Sequence, residues 1–262
     1  MTRSRREFLQ IASAGAVCAA LGRAAATEPT LGMIFPPANY PVPPEATELY
    51  PKGVRFLAEG VGLEKMTAEE YDRVFGRILP AAEKLAKQGA NAISVMGTSL
   101  TFYKGAEYEH QLKVNVTKAT GLPSTTMSTG IVEGLKAVNA RRVAVATAYN
   151  EDVSHRLRVF LEESGFEVTS VKGLGIVSFK DRGPVTPDEL LNFSASVYEG
   201  APKSDALVIS CGALKTLELI VPLEKRCKAP VVSSTPHALW ASVRLLGLSG
   251  QAKGYGTVLA KG

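Results

Sequence analysis

The sequence has few of the residues that support metal or cofactor chemistry. Its three histidines, His110, His155 and His237, show no metal-ligand spacing. It contains no Walker loop, no G-x-G-x-x-G after the first strand pattern and no G-x-S-x-G turn. These absences argue against metal centres, nucleotide- or flavin-dependent enzymes and serine hydrolases.

The chain also has little excess of one charge. Its formal net charge is +5, and residues 1–26 contribute four arginines and one glutamate to it. The rest of the chain therefore carries only two net positive charges, and it has no run rich in lysine or arginine. We accordingly expect no nucleic-acid partner. The apolar fraction of 45% is that of a globular protein with a sizeable core.

Residues 1–26 have the pattern of a secretory signal. Arg5-Arg6 is followed by Phe8-Leu9, then by a short apolar stretch over 11–21 and by alanines at 24–26. Paired arginines before Phe-Leu predict the twin-arginine type of signal. The apolar stretch is too short to span a bilayer comfortably, so we expect a periplasmic protein with no membrane anchor after cleavage. The alternative is an ordinary amphipathic first helix.

From Thr30 onward, short apolar strands alternate with longer helical patterns. Ala68–Gln88, for example, repeats apolar residues every three or four positions and predicts one helix. Seven or so strands alternating with helices predict parallel sheets covered on both faces. The order of strand, small polar loop and helix occurs in two similar halves. We therefore predict an α/β protein with two lobes, 27–128 plus 231–262 and 129–230, and an active site in the cleft between them.

Small polar residues follow several of these strands. In open parallel sheets, ligands bind beyond the carboxyl ends of the strands, and helix N-termini there can bind carboxylates. The alternative is helix capping, for which Ser99, Asn150 and Ser234 are ordinary N-cap residues. Thr98, Ser99 and Tyr149 together exceed what capping needs, which favours an anion site.

Cys211 is the candidate proton donor. It ends an apolar strand, and Gly212 after it allows the backbone to approach a ligand closely. We expect a helix N-terminus to lower the pKa of this thiol and substrate carboxylates to oppose that shift. A thiol balanced in this way could act as a general acid at neutral pH. The alternative is a buried structural cysteine, which is our interpretation of Cys227.

Several segments also occur together in a characteristic order. They are Gly32-Met33-Ile34 with Pro36-Pro37, Met96-Gly97-Thr98-Ser99-Leu100, Ala119-Thr120-Gly121-Leu122-Pro123, Val145-Ala146-Thr147-Ala148-Tyr149, Ser210-Cys211-Gly212 and Pro230-Val231-Val232-Ser233-Ser234. On these segments, Thr30 to about Leu246 resembles the arylmalonate decarboxylases of the aspartate/glutamate racemase and maleate isomerase superfamily.

The resemblance implies two pseudo-symmetric α/β lobes and a cofactor-free decarboxylation of a disubstituted malonate. An oxyanion cradle would hold the enediolate, and Cys211 would protonate it on one face. The resemblance assigns this cradle and the neighbouring binding residues to Thr98, Ser99, Tyr149, Gly212 and Pro37. It assigns the pocket to Leu63, Met66, Tyr71, Gly97, Leu100, Phe179 and Arg182.

Gly97 separates the possible activities. Racemases and isomerases of the superfamily have a cysteine there, because inverting a centre needs a thiol on each face. Lys215, Phe179 and Arg182 depart from the decarboxylase pattern and point to a more polar or more acidic substrate. The alternatives are a racemase or cis-trans isomerase of the superfamily and a non-catalytic periplasmic carboxylate-binding protein. The expected partner is a small dicarboxylate; the oligomeric state is open, and a monomer is compatible with the sequence.

Overall fold

The structure, a computed structural model, describes residues 28–178, 180, 183–201 and 203–262. The predicted signal in residues 1–26 and two predicted pocket residues, Phe179 and Arg182, lie outside the described residues. In the described part of the chain, no helix combines the length and the apolar character needed to cross a bilayer.

The first lobe is built on a parallel sheet of four strands in the order β2-β1-β3-β4. The strands are β1 (Thr30–Phe35), β2 (Arg55–Gly60), β3 (Ala92–Val95) and β4 (Ser124–Thr126). The helices connecting them are α1 (Pro44–Leu49), α2 (Ala68–Phe75), α3 (Ile78–Lys87), α4 (Thr98–Phe102) and α5 (Ala106–Thr120).

The second lobe repeats this arrangement with the order β6-β5-β7-β8, again all parallel. Its strands are β5 (Arg142–Tyr149), β6 (Glu167–Ile176), β7 (Ala206–Ser210) and β8 (Val231–Ser233). The helices around it are α6 (Met127–Ala137), α7 (Glu151–Glu163), α8 (Pro187–Glu199), α9 (Leu217–Cys227) and α10 (Ser234–Arg244). The predicted fold of two similar α/β lobes is confirmed.

Central and edge strands differ in burial, and this explains what the sequence pattern detected. Three of the four central strands, β1, β3 and β7, are buried along their whole length, as continuous apolar runs in parallel sheets are. The edge strand β2 is only partly buried and contains Arg55 and Glu59. Because the apolar pattern is weak in β2, sequence reasoning missed it.

Two predicted boundaries differ from the structure. The single helix expected over 68–88 is two helices, because α2 ends at Phe75 and is followed by Gly76, a residue of low helix propensity. The expected division of the lobes placed residues from 231 onward in the first lobe. Strand β8, however, pairs with β7 in the second sheet.

Helices α6 and α10 join the two lobes. Each follows the last strand of a sheet, and they pack against each other. Helix α10 contacts β3 and β4 as well as β8, and α6 contacts both β4 and β8, so each helix touches both sheets. Residues 234–243 of α10 are all buried. This packing places the carboxyl ends of β3 and β7 on the same cavity.

Candidate active site

A cavity of about 320 Å³ lies where the carboxyl ends of the strands meet. Its first-lobe wall contains residues that follow β1 and β3, and its second-lobe wall contains Tyr149 at the end of β5 and the turn after β7. The wall residues most important here are Pro36, Pro37, Tyr40, Gly97, Thr98, Ser99, Tyr149, Cys211 and Gly212. Parallel strands place their carboxyl ends at one edge, which explains why these distant segments meet.

Most of the sequence-predicted site residues line this cavity. They are Cys211, Gly212, Thr98, Ser99, Tyr149, Pro37, Gly97, Leu63 and Met66. The structure does not place Tyr71 and Leu100 on the wall, although the resemblance assigned both to the pocket. Both are fully buried. The Tyr71 ring packs on the ring of Tyr103, with 4.1 Å between centroids.

The backbone of Cys211 is strained. Its φ of +148° lies in a region that side chains rarely adopt, which costs roughly 1–3 kcal/mol. Such strain concentrates at functional sites and persists only where the surroundings hold it. The carbonyl of Cys211 accepts a hydrogen bond from the N–H of Leu214, with 3.1 Å between the heavy atoms. Helix α9 begins only at Leu217, so Cys211 does not sit at a helix N-terminus.

The thiol of Cys211 remains protonated at neutral pH. Burial raises its pKa to about 11, and smaller opposing effects come from the N–H of Ala213, the Tyr149 hydroxyl and the N–H of Leu214. The expected lowering of this pKa is therefore wrong, because desolvation of the thiolate outweighs the hydrogen bonds to it. A protonated thiol is the form that a proton donor requires.

Hydroxyl groups from both lobes surround the thiol. Tyr149 is buried, and its hydroxyl lies 3.4 Å from the Ser210 hydroxyl. Burial raises the pKa of Tyr149 well above its ordinary value, and the nearby Cys211 adds to this. Its hydroxyl also interacts with Thr98, so donors from the two lobes meet. These neutral donors can bind carboxylate oxygens without a cation.

Ser99 offers a hydroxyl on the first-lobe wall. It lies beside the buried Tyr71 hydroxyl, whose pKa is raised by burial and lowered by Ser99. That interaction falls short of hydrogen-bond geometry, since no described group satisfies the Tyr71 oxygen. The Ser99 hydroxyl is therefore not committed to a strong internal partner.

Ser234 is a residue that sequence reasoning interpreted only as a cap. Ser234 is instead the first residue of α10. The N-cap position before it is occupied by Ser233, whose side chain forms no capping hydrogen bond. The Ser234 hydroxyl instead accepts from the Cys211 N–H at 3.0 Å and from the Thr98 hydroxyl at 2.8 Å. No local motif signals this role, because its partners lie far away in the sequence.

Gly97 leaves no room for a side chain in its present surroundings. A Cβ added there would lie 2.6 Å from Cγ of Pro36 and 3.0 Å from Cβ of Leu100. Both distances are at or below the closest that carbon atoms approach, so Pro36 would have to move. The first-lobe wall thus presents a bare backbone where the equivalent turn of the second lobe carries a thiol.

The mouth of the cavity contains charged residues that the sequence pattern did not single out. Lys65 and Lys180 line it from the two lobes, together with Glu64. A backbone hydrogen bond of 3.0 Å from Met66 N–H to the Val177 carbonyl joins the two segments. Tyr40 also lines the cavity and was not predicted from the sequence; its ring packs on the ring of Phe35, with 4.6 Å between centroids. Two lysines at the entrance attract anions.

The described residues offer oxygen-binding donors rather than metal ligands. Across 28–178, 180, 183–201 and 203–262, no three His, Cys, Asp or Glu side chains cluster in a way that could hold a metal ion. The cavity wall presents a thiol, hydroxyls and the N–H of Gly212 instead. This arrangement can bind a carboxylate and deliver a proton to a neighbouring carbon.

Comparison with known proteins agrees with this geometry. A family model described as arylmalonate decarboxylase matches residues 31–259. The arylmalonate decarboxylase of Bordetella bronchiseptica is 45% identical over 232 residues, which cover 88% of this chain and 96% of that protein. The maleate isomerase of Nocardia farcinica is 28% identical over 130 residues, 49% of this chain and 51% of that protein.

Solved structures show the same relationship. A liganded arylmalonate decarboxylase carrying a glycine-to-cysteine and a cysteine-to-serine exchange superimposes with a TM-score of 0.85 at 44% identity, covering 88% of this chain and 98% of that one. The maleate isomerase Iso from Pseudomonas putida S16 shares the fold, with a TM-score of 0.80 at 21% identity and coverages of 88% and 98%. The chain belongs to the arylmalonate decarboxylase family.

Proposed function

We propose that this protein is a carboxy-lyase that removes one carboxylate from a malonate with an apolar substituent and protonates the remaining carbon from Cys211, without a cofactor. One observation carries the proposal: a single thiol, kept protonated by burial, faces hydroxyl donors of both lobes across a small cavity. Membership of the arylmalonate decarboxylase family supports it.

The polar and the apolar parts of the cavity wall would each bind one of the two substrate carboxylates. Thr98, Ser99, Tyr149 and the N–H of Gly212 would donate to the carboxylate that remains on the substrate. The second carboxylate would lie against the apolar part of the wall, which includes Leu63 and Met66. Its poor solvation there favours loss of charge as carbon dioxide.

The chemical step needs no external oxidant or reductant. The carbon–carbon bond to the departing carboxylate breaks, and its electron pair enters the enediolate formed with the remaining carboxylate. Donors aimed at the enediolate oxygens stabilise it, each by about 3 kcal/mol. The S–H bond of Cys211 then breaks, its proton forms the new C–H bond, and the thiolate takes a proton from water.

Gly97 argues against racemisation as the main activity. Inverting a carbon centre requires an acid on each face, and Gly97 with Pro36 closes the first-lobe face without one. In the liganded double mutant of arylmalonate decarboxylase, the exchanged glycine and cysteine have the same sequence separation as Gly97 and Cys211. This supports treating the two positions as a functional pair.

Carbon dioxide release by residues 27–262 from a panel of alkyl and aryl malonates tests the proposal. We expect release from phenylmalonate, and neither maleate isomerisation nor deuterium exchange into aspartate. Isomerisation or exchange would assign the protein to the alternative enzymes of the superfamily. Thermal stabilisation by dicarboxylates without any product would indicate a binding protein instead.

We also propose that residues 1–26 direct export to the periplasm through the twin-arginine pathway. The support is the sequence Arg5-Arg6-Glu7-Phe8-Leu9 before a short apolar stretch. Replacing both Arg5 and Arg6 by lysine should keep the full-length protein in the cytoplasm of a host with this pathway. Unchanged export of that variant would contradict the proposal.

A further inference from the structure

Ser234 connects the two halves of the active site from behind the cavity wall. Its Oγ lies 3.0 Å from the backbone nitrogen of Cys211 and 2.8 Å from Oγ1 of Thr98, and it accepts a hydrogen bond from each. The residue is 1% exposed and does not line the cavity. One hydroxyl of α10 therefore contacts the turn of the proton donor in the second lobe and a candidate oxyanion donor in the first.

The bond to Cys211 belongs to a set that holds the strained turn. Thr235, next to Ser234, donates its hydroxyl to the carbonyl of Gly212 at 3.2 Å. Leu214 N–H donates to the carbonyl of Cys211 at 3.1 Å. Together these bonds fix the peptide groups on both sides of a residue whose φ is +148°. An unfavourable φ persists only when its surroundings over-determine it, so each bond contributes to where the thiol points.

The bond to Thr98 sets the direction of a single proton. A threonine hydroxyl has one proton to donate, and in this structure its acceptors are the Ser234 hydroxyl and the Met127 sulfur, each 2.8 Å from Oγ1 of Thr98. When Thr98 turns that proton toward a carboxylate oxygen, Ser234 can donate to the Thr98 oxygen in return, whereas the Met127 sulfur has no proton to donate. Serine carries the proton needed for this exchange of roles. Alanine does not.

We propose that Ser234 is a positioning residue: it fixes the backbone of Cys211 and supports Thr98 as an oxyanion donor, without touching the substrate. The inference rests on the proposed decarboxylase function. It predicts that loss of the hydroxyl weakens the chemical step and the control of protonation, and leaves substrate binding nearly intact.

The test compares Ser234→Ala and Ser234→Thr with the unchanged protein. For phenylmalonate, Ser234→Ala should lower kcat about 100-fold with little change in KM, because small misplacements of reacting groups cost about that much. Ser234→Thr, which keeps the hydroxyl, should retain most of the activity. Ser242→Ala is the matched control, since Ser242 is a buried serine of the same helix whose hydroxyl bonds to Ser94 and to the Ala238 carbonyl.

The enantiomeric ratio of the product separates positioning from loss of folded protein. With a disubstituted malonate, Ser234→Ala should give a lower ratio, because a displaced thiol lets water compete for the enediolate. A merely unfolded fraction lowers kcat without changing this ratio. An unchanged ratio with kcat close to that of Ser242→Ala would overturn the proposal, as would an inactive Ser234→Thr that unfolds at the same temperature as the unchanged protein.

A second measurement does not depend on the reaction. Alkylation of Cys211 by iodoacetamide, followed by peptide mass spectrometry, reports the pH at which this thiol ionises. Ser234→Ala should shift that midpoint, and Ser242→Ala should not. If no malonate releases carbon dioxide from the unchanged protein, the decarboxylase proposal fails. The alkylation midpoints then still decide whether Ser234 positions Cys211.

Discussion

Strand β3 lies between β1 and β4, the first and last strands of its sheet in chain order, and β7 lies between β5 and β8 in the same way. The turns after β3 and β7 therefore occupy equivalent places in the two lobes. In this comparison Gly97 corresponds to Cys211, and Thr98 corresponds to Gly212. The first turn enters helix α4 at once, at Thr98, whereas the second delays its helix until Leu217. One turn thus carries hydroxyl donors and the other a thiol.

The two turns are nevertheless anchored in the same way. Ser128 at the start of α6 donates its hydroxyl to the Thr98 carbonyl at 3.1 Å. Thr235 at the start of α10 donates its hydroxyl to the Gly212 carbonyl at 3.2 Å. The residues before these anchors differ, however, being Met127 in one helix and Ser234 in the other. A repeated backbone frame can therefore carry different chemistry, because a few side chains at its turns are exchanged.

Among the changes to the two turns, removing the Cys211 thiol should lower activity the most. We expect Cys211→Ser to lower kcat for phenylmalonate by about 10³-fold or more, since a serine hydroxyl is a far weaker acid. The fold should survive, as judged by circular dichroism. Cys227→Ser, at a half-buried position outside the cavity, serves as the control and should keep full activity. Equal activity of the two variants would contradict the role of Cys211.

The pH profile of the unchanged protein sharpens the same point. With a pKa of about 11, the Cys211 thiol holds its proton throughout the neutral range. Activity that depends on this proton should be present below pH 11 and be lost as the pH rises through that value. If the unchanged protein lost kcat near neutral pH and the residual activity of Cys211→Ser did not, the thiol would ionise at a much lower pH than 11.

Removing a first-lobe donor should have the next largest effect. We expect Ser99→Ala to lower kcat about 100-fold, because one donor to the enediolate is lost. Thermal stability should change little, since the Ser99 hydroxyl has no strong internal partner in the described structure. Ser178→Ala, at a partly exposed position of the same cavity wall, is the matched control and should leave kcat nearly unchanged.

Filling Gly97 should affect stability more than chemistry. A Cβ at residue 97 would lie 2.6 Å from Pro36 Cγ, so Gly97→Ala should lower the free energy of unfolding by about 1–3 kcal/mol. In Gly76→Ala the added Cβ meets no atom within 4 Å, and the backbone is already helical. That control should be neutral or slightly stabilising. Urea unfolding compares the two; equal stabilities would mean that Pro36 moves freely.

Neutralising the mouth should have the smallest effect. Lys65→Gln and Lys180→Gln should each raise KM for a dianionic malonate about threefold at low salt, with kcat unchanged, because exposed charges act weakly and are screened. Lys118→Gln, an exposed lysine outside the cavity, should leave KM unaltered. Initial rates at two salt concentrations measure the effect. A change in kcat would place these lysines closer to the reacting atoms than the cavity mouth.

The sequence by itself determined the lobes, the strands buried at their centres and the turns that carry chemistry. Continuous apolar runs such as Ala206–Ser210 predict central strands, and small polar residues after them predict the cavity wall. The sequence could identify four site residues because each lies within a local motif at a strand end: Cys211, Thr98, Ser99 and Tyr149. Local patterns of this kind are read directly from neighbouring residues.

Only the tertiary structure decided how these groups behave. The Cys211 pKa depends on burial by segments from both lobes, which no local pattern measures, so the predicted direction was wrong. Ser234 was recognised only as a cap because its partners, Thr98 and Cys211, are distant in sequence. Lys65 and Lys180 line the same cavity because segments of the two lobes meet there, joined by the backbone hydrogen bond from Met66 to Val177. Long-range packing sets desolvation and hydrogen-bond partners, and a single sequence does not state which segments will meet.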